Sequence, residues 1–378
     1  MHVVFLTVEY PPGPSGGIGT SVRNLARALV AGGHRATVLG CGVPTEFDDQ
    51  GARVRFLGAT RVPGMGWLLN RRLLDLEIRR LVRSEGADLV EAHDWVGPSA
   101  GIRPHCPVLI RCHGSATYFA DMLGERARPK VRFAEGLALA QADDVVAVSR
   151  FAADQTRRVF GLRREIGVIP NGIDVSRFTA SGPTEADPES LLYFGSLVRK
   201  KGVLDLARIF PAVLSVAPGA RLVLVGRDVA DSRSGSPSTW ALLKEALPAD
   251  ARGRVSYLGS CPHDEIYRHV RRAGVCLFPS YAEALPVSWI EAMACAKPVV
   301  AYDVGWASEM IESGVSGVLV PPGDTRAAGV AVGGLLLDRA RAEAMGRAAR
   351  GVAESRFTSE IVAAQSVERY RALLGGAA

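Results

Sequence analysis

The sequence predicts an α/β protein built from two doubly wound, parallel-sheet domains in tandem, and three observations carry that prediction. Short apolar runs alternate with longer stretches of helical periodicity, the pattern of βαβ units covered by helices. The stretch from Ala180 to Ser190 is polar and rich in breakers, as a linker is, and the alternation restarts beyond it. A length of 378 residues suits two domains of ordinary size.

In order along the chain, Val3–Val8 reads as a buried strand, Ser21–Ala31 as a helix, Thr37–Gly40 as a strand and Leu68–Val82 as a helix. Leu89–Ala92, Val108–Arg111 and Val145–Val148 follow as strands. The apolar start at Met1 lacks a charged leader and is short for a signal-peptide core, so it is assigned to the first strand. After the linker, Leu191–Phe194, Arg221–Val225, Val255–Leu258, Val275–Phe278, Val299–Ala301 and Val318–Val320 read as strands with helices between them. Phe357–Leu374 is helical, with apolar residues at Ile361, Val362, Val367, Tyr370 and Leu373. The expected division is 1–175, a linker at 176–190, 191–355, and a C-terminal helix at 356–378. Ligands of such sheets bind beyond the carboxyl ends of the strands, which in a two-domain chain means the cleft between domains.

Composition narrows the function. At 48% hydrophobic and 22% charged the chain is neither disordered nor fibrous. Six cysteines with no Cys-x-x-Cys pair read as reduced core residues, against a disulfide framework or a zinc site. No run of 18 apolar residues marks a membrane span, and a cytoplasmic location is expected. The net charge of +6 favours anionic partners, but 22 basic and 18 acidic residues up to Asp174 against 23 and 21 beyond it make no basic arm for nucleic acid. Only five of the 45 cationic residues are lysine.

Three loops carry candidate chemistry. Pro11 to Thr20 holds Gly16 and Gly17 between the first strand and helix, where glycines let backbone N–H groups approach a phosphate at the helix's positive end. It matches neither a dinucleotide fingerprint nor a P-loop, so a plain strand-to-helix turn stands beside that reading. Gly195 to Gly202 follows the first strand of the second domain and contains Ser196, Arg199, Lys200 and Lys201. Two of five lysines together, in a chain that otherwise uses arginine, point to compact ammonium groups for an anion; a solvated pair is the alternative. Pro279 to Val300 contains Glu283 and Glu291, with Pro286 marking a helix start. Glu283 then sits in the loop and Glu291 one to two turns into the helix, where carboxylates accept hydrogen bonds from sugar or ribose hydroxyls. A helix-terminal acid and a surface acid are the plainer reading.

On these residues the chain resembles the retaining nucleotide-sugar glycosyltransferases of family 4, which have the GT-B fold: two Rossmann-like doubly wound domains facing across a deep cleft. The resemblance runs through almost the whole chain and is densest from Val145 to Asp324. It rests on Glu283 and Glu291 with the EAMACAKPVVA stretch behind them, Val148-Ser149-Arg150, Pro170 to Asp174, Gly195 to Gly202, Val225-Gly226 and Gly314 to Asp324. It implies that Lys201, in a phosphate loop with Ser196 and Arg199, neutralises the donor diphosphate, and that Gly16 and Gly17 approach it too. It implies that Glu291 holds the ribose and that Glu283, with Ala284 and Leu285, contacts the transferred sugar. His113 then lies at the reacting side of the sugar, while His93 and Asp94 line the acceptor pocket; His113, Glu283 and Lys201 form the catalytic set. The C-terminal helix is expected to return to the first domain, and the domains to close about the segment near Asn171 and the linker. No cofactor is implied: a nucleotide sugar, UDP-linked or alternatively GDP-linked, is a co-substrate, and a hydroxyl of a small molecule, glycan or lipid-linked acceptor receives the hexose. No Asp-x-Asp occurs, so a metal is not expected, and cations and helix dipoles are expected in its place.

The sequence departs from the family pattern at Ser196, where arginine is common, at Ala284 and Ala296, where glycine is frequent, and at Trp306, which replaces the second of a glycine pair. These changes bear on donor choice. The alternatives are a catalytically inactive GT-B binding protein and a nucleotide-sugar epimerase of the same fold. Scarce lysine argues against a phosphorylase, and the missing fingerprint against an NAD-dependent dehydrogenase. Trp67 to Arg83 is basic and amphipathic, as a helix touching a lipid surface is, and equally as an ordinary helix with an arginine-rich outer face. Arg126, Arg128, Lys130 and Arg132 make a second basic stretch.

Overall fold

The computed structural model describes residues 1–13, 16–63, 65–178 and 186–375. Pro14 and Ser15 of the glycine loop, and 179–185 of the expected linker, lie outside the described residues. The chain divides into unit 1, Met1–Ile173 with Ser359–Ala378, and unit 2, Asp174–Thr358.

Unit 1 runs β1 (His2–Leu6), α1 (Gly17–Ala31), β2 (Arg35–Gly42), β3 (Thr45–Asp49), β4 (Ala52–Gly58), α2 (Gly66–Glu85), β5 (Leu89–His93), β6 (Val108–Cys112), α3 (Ala116–Met122), α4 (Pro129–Gln141), β7 (Asp144–Ala147), α5 (Arg150–Phe160) and β8 (Gly167–Val168). Unit 2 runs β9 (Ser190–Phe194), α6 (Leu206–Val216), β10 (Arg221–Val225), α7 (Thr239–Ala246), α8 (Ala249–Arg252), β11 (Val255–Tyr257), α9 (Ile266–Arg272), β12 (Val275–Phe278), α10 (Val287–Ala294), β13 (Val299–Tyr302), α11 (Ala307–Met310), β14 (Val318–Val320), α12 (Thr325–Leu337) and α13 (Arg339–Arg356). The chain ends with α14 (Ser359–Gly375), which belongs to unit 1.

The sheet of unit 1 has the order β3-β4-β2-β1-β5-β6-β7-β8 and that of unit 2 the order β11-β10-β9-β12-β13-β14. The central strands are buried along their length, which is why they read as continuous apolar runs. In register, Val4 of β1 lies level with Thr37 of β2 and Val90 of β5. In unit 1 the helix α1 packs Val22, Leu25 and Leu29 on Val3 and Phe5, and α14 adds Val362, Val367 and Tyr370 to the same core. In unit 2 the α6 residues Ile209, Phe210 and Val213 meet Ala328, Val332 and Leu335 of α12. Each such fully buried large side chain contributes roughly 1.5–3 kcal/mol.

One expectation is corrected. The sequence reading leaves 41–67 without strands, whereas β3 and β4 form an antiparallel hairpin there, so the first sheet is mixed. Its turn passes through Gln50 and Gly51, both at positive φ (58° and 86°), the conformation that matches the twist of a two-residue hairpin. No described helix is long and apolar enough to cross a membrane.

Candidate active site

In unit 2 the strand order reverses between β9 and β12, so the loops leaving their carboxyl ends are neighbours. Gly202, at φ 66°, allows the contact: a Cβ there would stand 1.8 Å from the carbonyl oxygen of Pro279. The amides of Tyr281 and Ala282 donate to the carbonyl of Lys200 at 2.9 and 3.4 Å. The hydroxyls of Tyr281 and Tyr302 both donate to Asp205 Oδ2, at 2.6 and 2.8 Å, and tether the second loop to the start of α6. This stitching places Lys201 Nζ 3.1 Å from Glu283 Oε1, with both side chains mostly buried.

The two lysines differ. Lys201 is ion-paired, whereas burial lowers the Lys200 ammonium to about 8, with Glu283 opposing that shift and Lys201 adding to it. The hydroxyl of the buried Tyr193 donates to the carbonyl of Ser196 at 3.0 Å, and burial, then the charge of Glu283, push that phenol well above its usual range. Arg199 grips Asp231 bidentately at 2.9 and 2.7 Å, and Asp231 also accepts from Ser234. The Arg199 hydrogen bond leads the causes that hold Asp231 far below the carboxylate range, so the arginine nearest the Ser196 departure already has a partner.

The helix α10 opens at Val287, directly after Pro286, leaving Glu283 in the loop and Glu291 in the second turn. Ala284 and Leu285 are buried. Glu291 is 4% exposed and its Oε1 lies 2.6 Å from His263 Nε2. Trp306 is fully buried, so its bulk enters the interior of the unit and lines no open surface. Ala296 has φ 56°, the left-handed conformation that glycine takes without strain.

In unit 1 the order reverses between β1 and β5. Gly16 caps α1 without a side chain and Gly17 opens it, and a Cβ on Gly17 would meet nothing within 4 Å. Glu9 Oε1 accepts from the amide of Gly19 at 2.9 Å, an acid at the positive end of a helix. His93 Nε2 accepts from the amide of Val8 at 3.3 Å, joining the loops that leave β1 and β5. Asp94 Oδ1 accepts from the amide of His113 at 2.9 Å, joining those that leave β5 and β6. The fully buried Glu135 gathers the amides of Val96, Ala116 and Thr117 at 3.0, 2.8 and 3.1 Å. Thus His93, Asp94 and His113 are brought together.

Their charges are suppressed. Burial lowers His93 to about 4 and raises Asp94 to about 7. Burial, then the charges of Arg111 and His93, hold His113 well below the usual imidazole range. Beneath them Glu91 and Arg111 form a buried pair at 2.8 and 3.2 Å, closed by Tyr370, whose hydroxyl donates to Glu91, and by Ser366, which accepts from Arg111 at 2.9 Å.

Sequence reasoning missed Glu9, Glu135, Asp231 and His263. Only Glu9 carries a local signal, an acid directly after the first strand; the partners named for Glu135, the Arg199 partner of Asp231 and the Glu291 partner of His263 lie 18 to 39 residues away. Among the described residues no three of His, Cys, Asp and Glu are grouped as a metal site.

Residues 15–177 match the family described as Glycosyltransferase Family 4, and residues 176–352 that described as Glycosyl transferases group 1. The chain is 29% identical over 405 residues to a glycogen synthase of Mycobacterium tuberculosis, covering 100% of this chain and 96% of that protein. It is 30% identical over 406 residues to an alpha-maltose-1-phosphate synthase of Mycolicibacterium smegmatis, covering 98% and 99%. HepE of Anabaena, solved in complex with UDP and glucose, superposes with a TM-score of 0.78 at 20% identity, covering 98% of this chain and 100% of that one.

Proposed function

This chain belongs to the family 4 glycosyltransferases and has their GT-B fold, and from that premise we propose that it moves a hexose from a nucleotide diphosphate sugar, with uridine as the first choice of base, to an acceptor hydroxyl, with retention and without a metal. The observation that carries the reading is the Lys201–Glu283 ion pair, next along the chain to the buried Glu291 of α10. HepE, a relative in fold, supports uridine by the UDP it holds.

In this reading a diphosphate takes Lys201 from Glu283, because two phosphates offer more charge than one carboxylate. Glu283, released, accepts hydrogen bonds from hydroxyls of the sugar, and Glu291 accepts those of the ribose. As the bond between the anomeric carbon and the diphosphate oxygen breaks, Lys201 and the amides opening α10, which has no side-chain cap, stabilise the charge that develops on the leaving group. The acceptor oxygen bonds to the anomeric carbon on the face the diphosphate leaves, and its proton passes to the departing phosphate oxygen. Unit 1 supplies the acceptor side. A neutral His113 hydrogen-bonds hydroxyls without placing a cation beside the electron-poor sugar. Arg199 is assigned to holding Asp231, and Ser196 to the shape of the loop.

The test is release of nucleoside diphosphate and formation of glycoside from UDP-, GDP- and ADP-hexoses with a panel of acceptors. Retention is read from the anomeric configuration by NMR, and metal independence from full activity in chelator. Absence of release from all donors overturns the reading; isomerised donor without glycoside replaces it with an epimerase.

A lipid surface is proposed as the site of the acceptor on the strength of α2. Val62, Met65, Trp67, Leu68, Leu73 and Leu76 are exposed together, with Arg61, Arg72, Arg80 and Arg83 exposed beside them. Only Leu74, Asp75, Ile78 and Leu81 of this helix are buried. Flotation with anionic vesicles, weakening as salt rises, supports this contact, and no flotation at low salt removes it.

A further inference from the structure

We propose that His263 is a positioning residue of the donor site, which sets the Glu291 carboxylate to receive the two hydroxyls of the ribose; this rests on the donor reading above. His263 opens the short turn His263–Glu265 that precedes α9, and its Nε2 stands 2.6 Å from Glu291 Oε1 across 28 residues of sequence. Glu291 is 4% exposed, so water does not orient its carboxylate. A carboxylate that must take two hydroxyl donors side by side needs its plane fixed, and one N–H donor to one oxygen does this while leaving the other lone pairs open.

The Nδ1 of the imidazole lies 4.0 Å from Asp264 Oδ1, beyond hydrogen-bond distance, and Asp264 is ion-paired with Arg177 at 2.6 Å. The sequence Arg177, Asp264, His263, Glu291 therefore runs from a half-exposed guanidinium to a buried carboxylate, each group paired with or beside the next, all within unit 2. With His263 Nε2 protonated the ring donates to Glu291. Loss of that donor leaves Glu291 free to turn, and the penalty falls on ligands that use both of its oxygens.

The experiment is isothermal titration calorimetry of the full chain with UDP, GDP and ADP, then with the 2′,3′-dideoxy form of whichever binds best. His263→Ala is expected to weaken the ribonucleotide about tenfold and the dideoxy form less than about twofold, while His263→Gln, which keeps an N–H donor, restores most of the loss. His263→Phe, similar in volume and without a donor, takes the place of the alanine variant if that one unfolds. Equal weakening of both nucleotide forms, or none of either, overturns the positioning role. Failure of the unaltered protein to bind any of the three diphosphates, or wild-type binding by Glu291→Gln, overturns the donor reading itself.

Discussion

At the strand ends of unit 2, Lys201 meets Glu283, Arg199 meets Asp231 and His263 meets Glu291. At those of unit 1, His93, Asp94 and His113 are buried beside one another, with both imidazoles pushed toward neutrality and the carboxyl raised to about 7. In the function proposed above, the mostly buried Lys201–Glu283 pair exchanges partners when a diphosphate arrives. Groups whose charge is suppressed by burial do not attract ions and instead present donors and acceptors of fixed direction, which suits hydroxyls. The strong buried pair of unit 1, Glu91 with Arg111, lies under this cluster and is closed by residues of α14, which makes it a structural element.

That contrast can be broken by variants that damage one unit in the manner of the other. Arg111→Met should cost about 3–5 kcal/mol of unfolding free energy by leaving Glu91 buried and unpaired. Urea denaturation measures this, and a loss under about 1 kcal/mol would deny the pair its structural role. Lys201→Ala should lower sugar transfer by about 10²–10³-fold with the melting temperature within a few degrees of wild type. Near-normal transfer would remove Lys201 from the catalytic set, and collapse of the fold would place it with Arg111 as a structural group.

A third variant addresses protonation. An unfolded aspartate titrates near 3.9, whereas burial raises native Asp94 to about 7. The native state therefore holds a proton that the unfolded chain releases between these values, so this stabilisation is complete below about pH 4 and lost as pH rises through about 7. An amide in place of this carboxyl does not titrate and has no such dependence. The melting-temperature gap between wild type and Asp94→Asn should shift in favour of the variant on going from about pH 5 to about pH 8, and a gap constant with pH falsifies the assignment. The smallest effect is expected at Ala296→Gly, which relaxes a left-handed residue and should stabilise by about 1 kcal/mol in thermal unfolding. Destabilisation there would show that the Ala296 methyl group packs usefully.

Most strands can be read because parallel strands buried on both faces are apolar throughout: Leu191–Phe194 is expected and Ser190–Phe194 is found. The hairpin of β3 and β4 cannot, because Thr45–Asp49 is an edge strand whose charged residues conceal its pairing. In the candidate site, the placement of Lys201 and Glu283 in loops and of Glu291 in a helix is legible from a loop, a proline and a spacing. Asp231, Glu135 and His263 are not, since each acts on a partner chosen by the fold and nothing in the neighbouring sequence marks it. The Lys200-Lys201 pair, visible as one signal in a lysine-poor chain, divides in the structure into an ion-paired ammonium and one depressed by burial.

The placement of α14 dictates an order of synthesis. Unit 2 is continuous from Asp174 to Thr358, so all of its sequence has been synthesised before Ser366 and Tyr370 are added. Unit 1 begins first and is completed last: Arg111 and Glu91 wait, already buried against each other or still solvated, for the helix that closes over them. During translation at about 5–20 residues per second, unit 1 thus waits for the last residues of the chain, and a chain cut before Ser359 contains all of unit 2 but leaves unit 1 without its closing helix.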